Sequence, residues 1–288
     1  MPMNDSMFHV FRNTPFGRET FLQSLDFCQK LDLRLQVYIP KSRKFLLYLG
    51  NRALQIELTS AYLRSPSTAE DHVRELIRNE PDRVHFYVPA DYSASNLPDI
   101  DGDFQFMTCP RNISDLSTKI SLGHIGSKVR QILFNATFPV LIPNPVFKPW
   151  ESISVMFGGS QNGIKCLQLG LIISRLTGHP LYMFTQAEGK SQEEYRSILQ
   201  QRGMLQEVQN EVQEWHFFQT GPLEENLYSV PHESLIIAGT YGQKDLKGFF
   251  FGSTMEKLQS ILPNNLLLLS QHFQRHPWIN PYRSRMVS

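Results

Sequence analysis

The 288-residue sequence predicts two consecutive α/β units, each built on a parallel sheet. Three observations carry that prediction. Short apolar runs alternate with longer segments whose apolar residues recur at helical spacing. A proline-rich stretch, Pro143-Asn144-Pro145-Val146-Phe147-Lys148-Pro149-Trp150, falls near mid-chain. Prolines interrupt regular ladders, so this stretch reads as a stiff linker. Finally, the two halves end alike. Gly126-Ser127, a helical segment and the strand Phe138–Ile142 mirror Gly252-Ser253, a helical segment and the strand Leu266–Leu269. That likeness points to an internal duplication. The expected division is a first domain over 1–144, a linker over 145–150 and a second domain over 151–288.

The second half reads clearly. Ile153–Phe157 is a short buried strand, and Gly158-Gly159-Ser160 is a turn. A helix is expected over Asn162–Leu176, with Ile164, Leu167, Leu171 and Ile172 on one face and Gly178 as its stop. Leu181–Thr185 is the next strand. A polar amphipathic helix follows over Gln192–Gln209, broken at Gly203. Trp215–Gln219 is a strand and Pro222–Tyr228 a short helix started by Pro222. Leu235–Ala238 is the fourth strand, Thr254–Leu262 the last helix and Leu266–Leu269 the fifth strand. Strands alternating with helices imply a parallel sheet covered on both faces.

The first half follows the same plan less plainly. Strands are expected at Phe8–Arg12, Leu35–Ile39, Phe104–Thr108 and Phe138–Ile142. Helices are expected at Arg18–Leu31, at Thr68–Asn79 with Thr68 as N-cap, and at Gly126–Phe134. The apolar runs Phe45–Leu49 and Leu54–Leu58 stay open between strand and helix. Residues 91–103 read as a loop.

Composition bounds the function. A hydrophobic fraction of 41% and a charged fraction of 19% describe a globular chain with ample core. The formal net charge of +1 gives no overall electrostatic pull toward nucleic acid or membrane. Cys28, Cys109 and Cys166 form no CxxC pair, and the odd, sparse count points to reduced thiols and a cytoplasmic setting. No basic segment followed by an apolar stretch opens the chain, so no secretory signal is expected. No apolar run is long enough to cross a bilayer.

The most informative stretch is Gly239-Thr240-Tyr241-Gly242, followed after nine residues by Gly252-Ser253. It lies between the apolar run Leu235–Ala238 and the expected helix Thr254–Leu262. Glycines let backbone amides approach an anion closely, and a helix start adds unpaired donors and a positive dipole end. Gly252, Ser253 and Thr254 would then meet one phosphate group together with the loop between Gly239 and Gly242.

With its flanking strand and helix, the second half resembles the universal stress protein family, whose nucleotide-binding members carry G-x2-G-x9-G-[ST]. Gly239, Gly242, Gly252 and Ser253 match that pattern in full. The resemblance covers the second half, and the first half looks like a degenerate copy, so the chain resembles a tandem member. It implies two Rossmann-like α/β sandwiches with five parallel strands each. It also implies ATP or another adenine nucleotide, with or without Mg2+, at the strand C-terminal edges of the second domain. One position departs from the pattern. The family's aspartate after the first strand is Gly158 here, which leaves the nucleoside part of the site without its carboxylate. The first half keeps Gly126-Ser127 but has Cys109-Pro110-Arg111-Asn112 where the paired glycines would stand. It is not expected to bind nucleotide in the family's mode. The family's last strands commonly pair in dimers, so the two domains are expected to form an internal pseudo-dimer, and a homodimer of chains stays open.

Other features have plainer readings. Lys244 and Lys247 are loop lysines. Asp99, Asp101 and Asp103 lack the downstream glutamate of a calcium loop and read as a solvated turn. The histidines, among them His124, His216, His232 and His272, show no metal spacing, and Ser160 lacks the Gly-x-Ser-x-Gly setting of a nucleophile. Arg275, Arg283 and Arg285 with Phe273, Trp278 and Tyr282 read as a packed or free tail. With no base, nucleophile or metal set, the expected role is that of a stress-related regulatory protein binding an adenine nucleotide. A slow ATPase using the same pocket and a nucleotide-free interaction module are the alternatives.

Overall fold

A computed structural model describes residues 5–63, 65–78, 80–89, 96–111, 113, 125–187, 189–240, 258 and 261–273. Among the described residues its contacts divide the chain into two units, one made of the residues up to Lys148 together with His272 and Phe273, the other running from Pro149 to Gln271.

The second unit carries five strands, β9 (Ser152–Met156), β10 (Leu181–Gln186), β11 (Val212–Phe218), β12 (Ser234–Gly239) and β13 (Asn265–Leu269). They lie in the order β11-β10-β9-β12-β13, and every neighbouring pair is parallel. Strands β12 and β13 are buried along almost their whole length, as expected where helices cover both faces. Helix α4 (Gln161–Thr177) supplies the main cover. Ser160 caps its start by accepting from the Gly163 amide at 3.0 Å, and Gly178 ends it in the left-handed region at φ 70°. The polar segment after β10 breaks into α5 (Gln192–Gln201) and α6 (Leu205–Glu211) around Gly203. Pro222 is the residue before α7 (Leu223–Asn226) and not its first, and a 3-10 turn over Leu227–Ser229 completes the short helical segment.

The first unit has β1 (Ser6–Val10), β2 (Arg34–Tyr38), β5 (Val84–Phe86), β7 (Phe106–Thr108) and β8 (Val140–Ile142) in the order β8-β7-β1-β2-β5, again all parallel. Helix α1 (Pro15–Lys30) is capped by Thr14, which accepts from the Gly17 amide at 3.1 Å. On the face away from α1, Phe8 stacks with Phe104 at 4.6 Å and meets Tyr87 edge-on at 5.4 Å. On the α1 face, buried His9 meets Ser24 Oγ at 2.9 Å, and Ser24 Oγ lies 2.7 Å from Thr108 Oγ1. Helix α3 (Ser127–Asn135) starts at Gly126, whose amide donates to the Arg111 carbonyl at 2.8 Å.

One open reading for this half is settled and two expectations are corrected. The two unassigned apolar runs are strands, β3 (Lys44–Leu49) and β4 (Arg52–Glu57), joined as an antiparallel hairpin through Gly50 at φ 59°. The segment read as a loop contributes β6 (Asp99–Ile100), which pairs in parallel with β3 to make a second, three-stranded sheet. Thr68 is not the N-cap of α2 (Pro66–Leu76). That position is Ser65, in the left-handed region at φ 45°, and the Thr68 hydroxyl donates back to the Ser65 carbonyl at 3.0 Å. Pro66 at the first helical position moves the start forward by fixing φ where the helix needs it.

The proline-rich stretch is tied down. The Val146 carbonyl accepts from Gln23 Nε2 at 2.9 Å, and the Phe147 amide donates to the Glu19 carboxylate at 2.6 Å. Trp150 is buried in the second unit with its ring edge-on to His179 at 5.1 Å.

Candidate functional site

In the second unit the chain leaves β9, passes through α4 and enters β10 on one side, while β12 lies on the other side of β9. The strand order therefore reverses between β9 and β12. Open α/β sheets take ligands outside the carboxyl ends of their strands at such a point. Met156 leads there into Phe157-Gly158-Gly159-Ser160, β12 ends at Gly239-Thr240, and β13 ends at Leu269.

These ends are held together by one side chain. Asn162, in the first turn of α4, donates from Nδ2 to the Leu269 carbonyl at 3.0 Å. The same Nδ2 stands 2.5 Å from where a β-carbon on Gly239 would be. The Thr240 amide also donates to the Leu269 carbonyl, at 2.9 Å. Two buried polar atoms are left over. Asn162 Oδ1 and Thr240 Oγ1 have no hydrogen-bond partner among the described residues. A buried acceptor or hydroxyl left unpaired costs about 1–3 kcal/mol, so an incoming polar group is favoured beside them.

The β9 side of the crevice is open. Among the described residues no atom lies within 4 Å of a β-carbon built on Gly158. Gly159, at φ 71°, turns the chain against the ring of Tyr195, and the Lys190 ammonium lies 5.8 Å from the centre of that ring. The first turn of α4 adds amides without intrahelical partners. Among the described residues the crevice thus offers backbone and hydroxyl groups, with the Lys190 ammonium by the Tyr195 ring and no carboxylate from residue 158.

Of the residues singled out in the sequence, Gly158 and Gly239 are placed at this crevice. Gly242, Gly252, Ser253 and Thr254 lie outside the described residues, as do Lys244 and Lys247. Asn162 was not singled out. Its one signal was a carboxamide two residues past a serine cap in an otherwise apolar helix. Tyr195 and Lys190 gave no signal, because only the fold of α5 brings them to the Gly158-Gly159 turn.

The described cysteines and His216 are held in the core or against aromatic rings. Cys28, Cys109 and Cys166 are buried, and burial pushes their thiols up, to about 12 for Cys166. His216 lies flat on Phe184 at 4.5 Å and meets Glu214 at 3.4 Å. Among the described residues no group of three or more His, Cys, Asp or Glu side chains could hold a metal ion. No helix among them is long and apolar enough to cross a membrane.

The fold defines a class: a parallel α/β unit whose strand order reverses between β9 and β12, following another unit of the same sheet order. Among solved structures, a universal stress protein from Archaeoglobus fulgidus DSM 4304 is similar at a TM-score of 0.62 and 16% identity, over 93% of this chain and 99% of that one. A putative universal stress protein from Pseudomonas aeruginosa UCBPP-PA14 is similar at a TM-score of 0.58 and 13% identity, over 99% of this chain and 98% of that one. The cytoplasmic domain of a prokaryotic cation chloride cotransporter is similar at a TM-score of 0.51 and 13% identity, over 94% and 96%. No protein-family model and no curated protein sequence matches the chain. The chain has the universal stress protein fold, at the length of its tandem form.

Proposed function

We propose that the second unit binds an adenine nucleotide, ATP being the ligand to test first, and that the chain acts as a stress-related regulatory protein. The reading rests on two features together. One is the G-x2-G-x9-G-S spacing from Gly239 to Ser253. The other is the crevice between β9 and β12, where among the described residues Asn162 Oδ1 and Thr240 Oγ1 are buried without partners and nothing stands over Gly158. These groups suit a ligand with hydroxyls and phosphates. The nucleotide's phosphates would meet the loop amides and Ser253, while Asn162 and Thr240 would supply polar contacts nearer the sheet. Gly158 supplies no carboxylate, so the nucleoside is held by fewer charged contacts than the motif alone implies.

A nucleotide-free interaction module is the second reading, and one observation favours it. Asn162 gives Gly239 a structural reason to be glycine that needs no ligand. The full chain, purified without added nucleotide and then denatured, separates the two by mass spectrometry of what it releases. An adenine nucleotide near one per chain supports the first reading. Its absence, together with no uptake of added ATP, leaves the second.

A further inference from the structure

We propose that β11, the lateral strand of the second unit's sheet, pairs with β11 of a second copy of this chain, antiparallel and about a two-fold axis through Trp215. The pairing needs no ligand and is independent of the crevice.

Strand β11 (Val212–Phe218) has seven residues, more than any other strand among the described residues, and there it pairs with β10 alone. On the opposite side of this unit β13 is buried at every position, whereas β11 is half-buried or exposed throughout. A long edge presents a row of backbone donors and acceptors to any chain that can pair with it, and edges that avoid pairing are blunted by lysine, proline or shortness. The first unit's lateral strand, β5, is of that kind: it has three residues and is followed by Pro89. Strand β11 holds neither lysine nor proline.

The Phe218 carbonyl turns inward, where it accepts from the Ala187 amide at 2.8 Å. Backbone groups alternate along a strand, so the amides and carbonyls of Trp215 and Phe217 point away from β10. The register against β10 slips once, at Gln213, and is regular from Glu214 to Phe218.

The side chains select the partner. Glu214 stands opposite Tyr182 and His216 opposite Phe184, so both lie on one face of the sheet. The His216 ring is held flat on Phe184 at 4.5 Å, and the Glu214 carboxylate beside it is more than half exposed. A two-fold axis normal to the sheet keeps each face on its own side. Centred on Trp215, it overlaps the two strands over their full length. It sets Glu214 opposite the partner's His216 twice over, and Trp215 opposite the partner's Trp215 as a doubly hydrogen-bonded pair. Centring on Glu214 would set two carboxylates face to face, and centring on His216 would leave each carboxylate against a phenyl ring. The strand is thus complementary to itself in one register. Backbone hydrogen bonds supply affinity, and the Glu–His pairs fix the register. Both chains use the same edge, so the assembly closes at two.

The test is sedimentation equilibrium of the full chain. A dimer is expected, with its dissociation constant raised about tenfold or more by Glu214→Lys and by His216→Glu. Asp71→Lys, at an exposed position of the first unit, is expected to leave it unchanged. Mixing the Glu214→Lys and His216→Glu chains is expected to restore a dimer of parental strength. In that pair the new lysine meets the new glutamate, and the remaining His216 meets the remaining Glu214. Where His216→Glu does not melt like the parent, Glu214→Lys at its exposed position carries the test. A monomeric parent overturns the proposal, and so does a dimer that Glu214→Lys leaves unchanged or that Asp71→Lys weakens equally. Folded variant chains that fail to recover the dimer on mixing overturn it as well.

Discussion

Asn162 stands over Gly239, its Nδ2 2.5 Å from the place a β-carbon would occupy and 3.0 Å from the Leu269 carbonyl it serves. One carboxamide thus ties the start of α4 to the ends of β12 and β13 at the edge where the ligand is proposed to sit. Gly239→Ala forces Asn162 aside and costs that hydrogen bond, about 1–2 kcal/mol of unfolding free energy. The pair Gly239→Ala with Asn162→Ala is expected to recover most of the steric part of that loss. Urea unfolding of the two single variants and the double variant reads the coupling, and simple additivity would show that the two residues do not meet.

Asn264 holds the approach to β13. Its Nδ2 faces the carbonyls of Pro231, His232 and Ser234 at 3.0, 3.1 and 2.9 Å, and the side chain is buried. Asn264→Ala leaves those acceptors short of a donor and is expected to destabilise the fold by about 2–3 kcal/mol. Asn264→Asp is expected to be worse, because a carboxylate then confronts three carbonyl oxygens. Denaturant midpoints order the two variants, and an Asp variant as stable as the Ala variant would contradict this assignment.

His9 makes the first unit sensitive to acid. Burial first, and then the Arg12 charge, lower its pKa from 6.5 to about 3. The unfolded chain takes up the proton below pH 6.5, while the folded chain resists until about pH 3. The stability tied to neutral His9 is therefore complete above pH 6.5 and is lost as pH falls toward 3. The slope approaches about 1.4 kcal/mol per pH unit between those limits. His9→Gln cannot take up that proton, so its stability is expected to fall less steeply over the same interval. Unfolding free energies at pH 7, 5.5 and 4, about one and a half units apart, compare the two, and parallel curves would rule out His9 as the source.

Gly158 is a vacancy that can be filled. Among the described residues nothing lies within 4 Å of a β-carbon there, so Gly158→Asp is expected to be accommodated. A carboxylate there would hydrogen-bond a ribose or adenine group, worth about 1–3 kcal/mol, or roughly a fivefold to hundredfold gain in ATP affinity. Fluorescence or calorimetric titration measures it, and an unchanged or weakened affinity would mean that the nucleoside does not lie beside residue 158.

Elements whose signal is local were legible in the sequence. Helix α4 announced itself through Ile164, Leu167, Leu171 and Ile172 and its stop at Gly178, and the break at Gly203 between α5 and α6 was equally plain. The hairpin β3–β4 was not, although Phe45, Leu47 and Leu49 alternate inward along β3. Leu46 and Tyr48 on its other face are apolar too, so the period was blurred. Strand β6 is only two residues long and exists through its pairing with Leu46 and Leu47, which no local pattern encodes. At the candidate site the glycines were readable because their spacing is a sequence property. Asn162, Tyr195 and Lys190 were not, because α4 and α5 bring them there only when the sheet is assembled.

The most direct test of the central claim is equilibrium binding of ATP to the full chain and to its Gly242→Asp variant. A carboxylate placed in the loop after Gly239 is expected to repel the phosphates and abolish measurable binding while leaving the melting temperature within a few degrees of the parent. Equal affinity in the two proteins, or no binding by the parent, would contradict it.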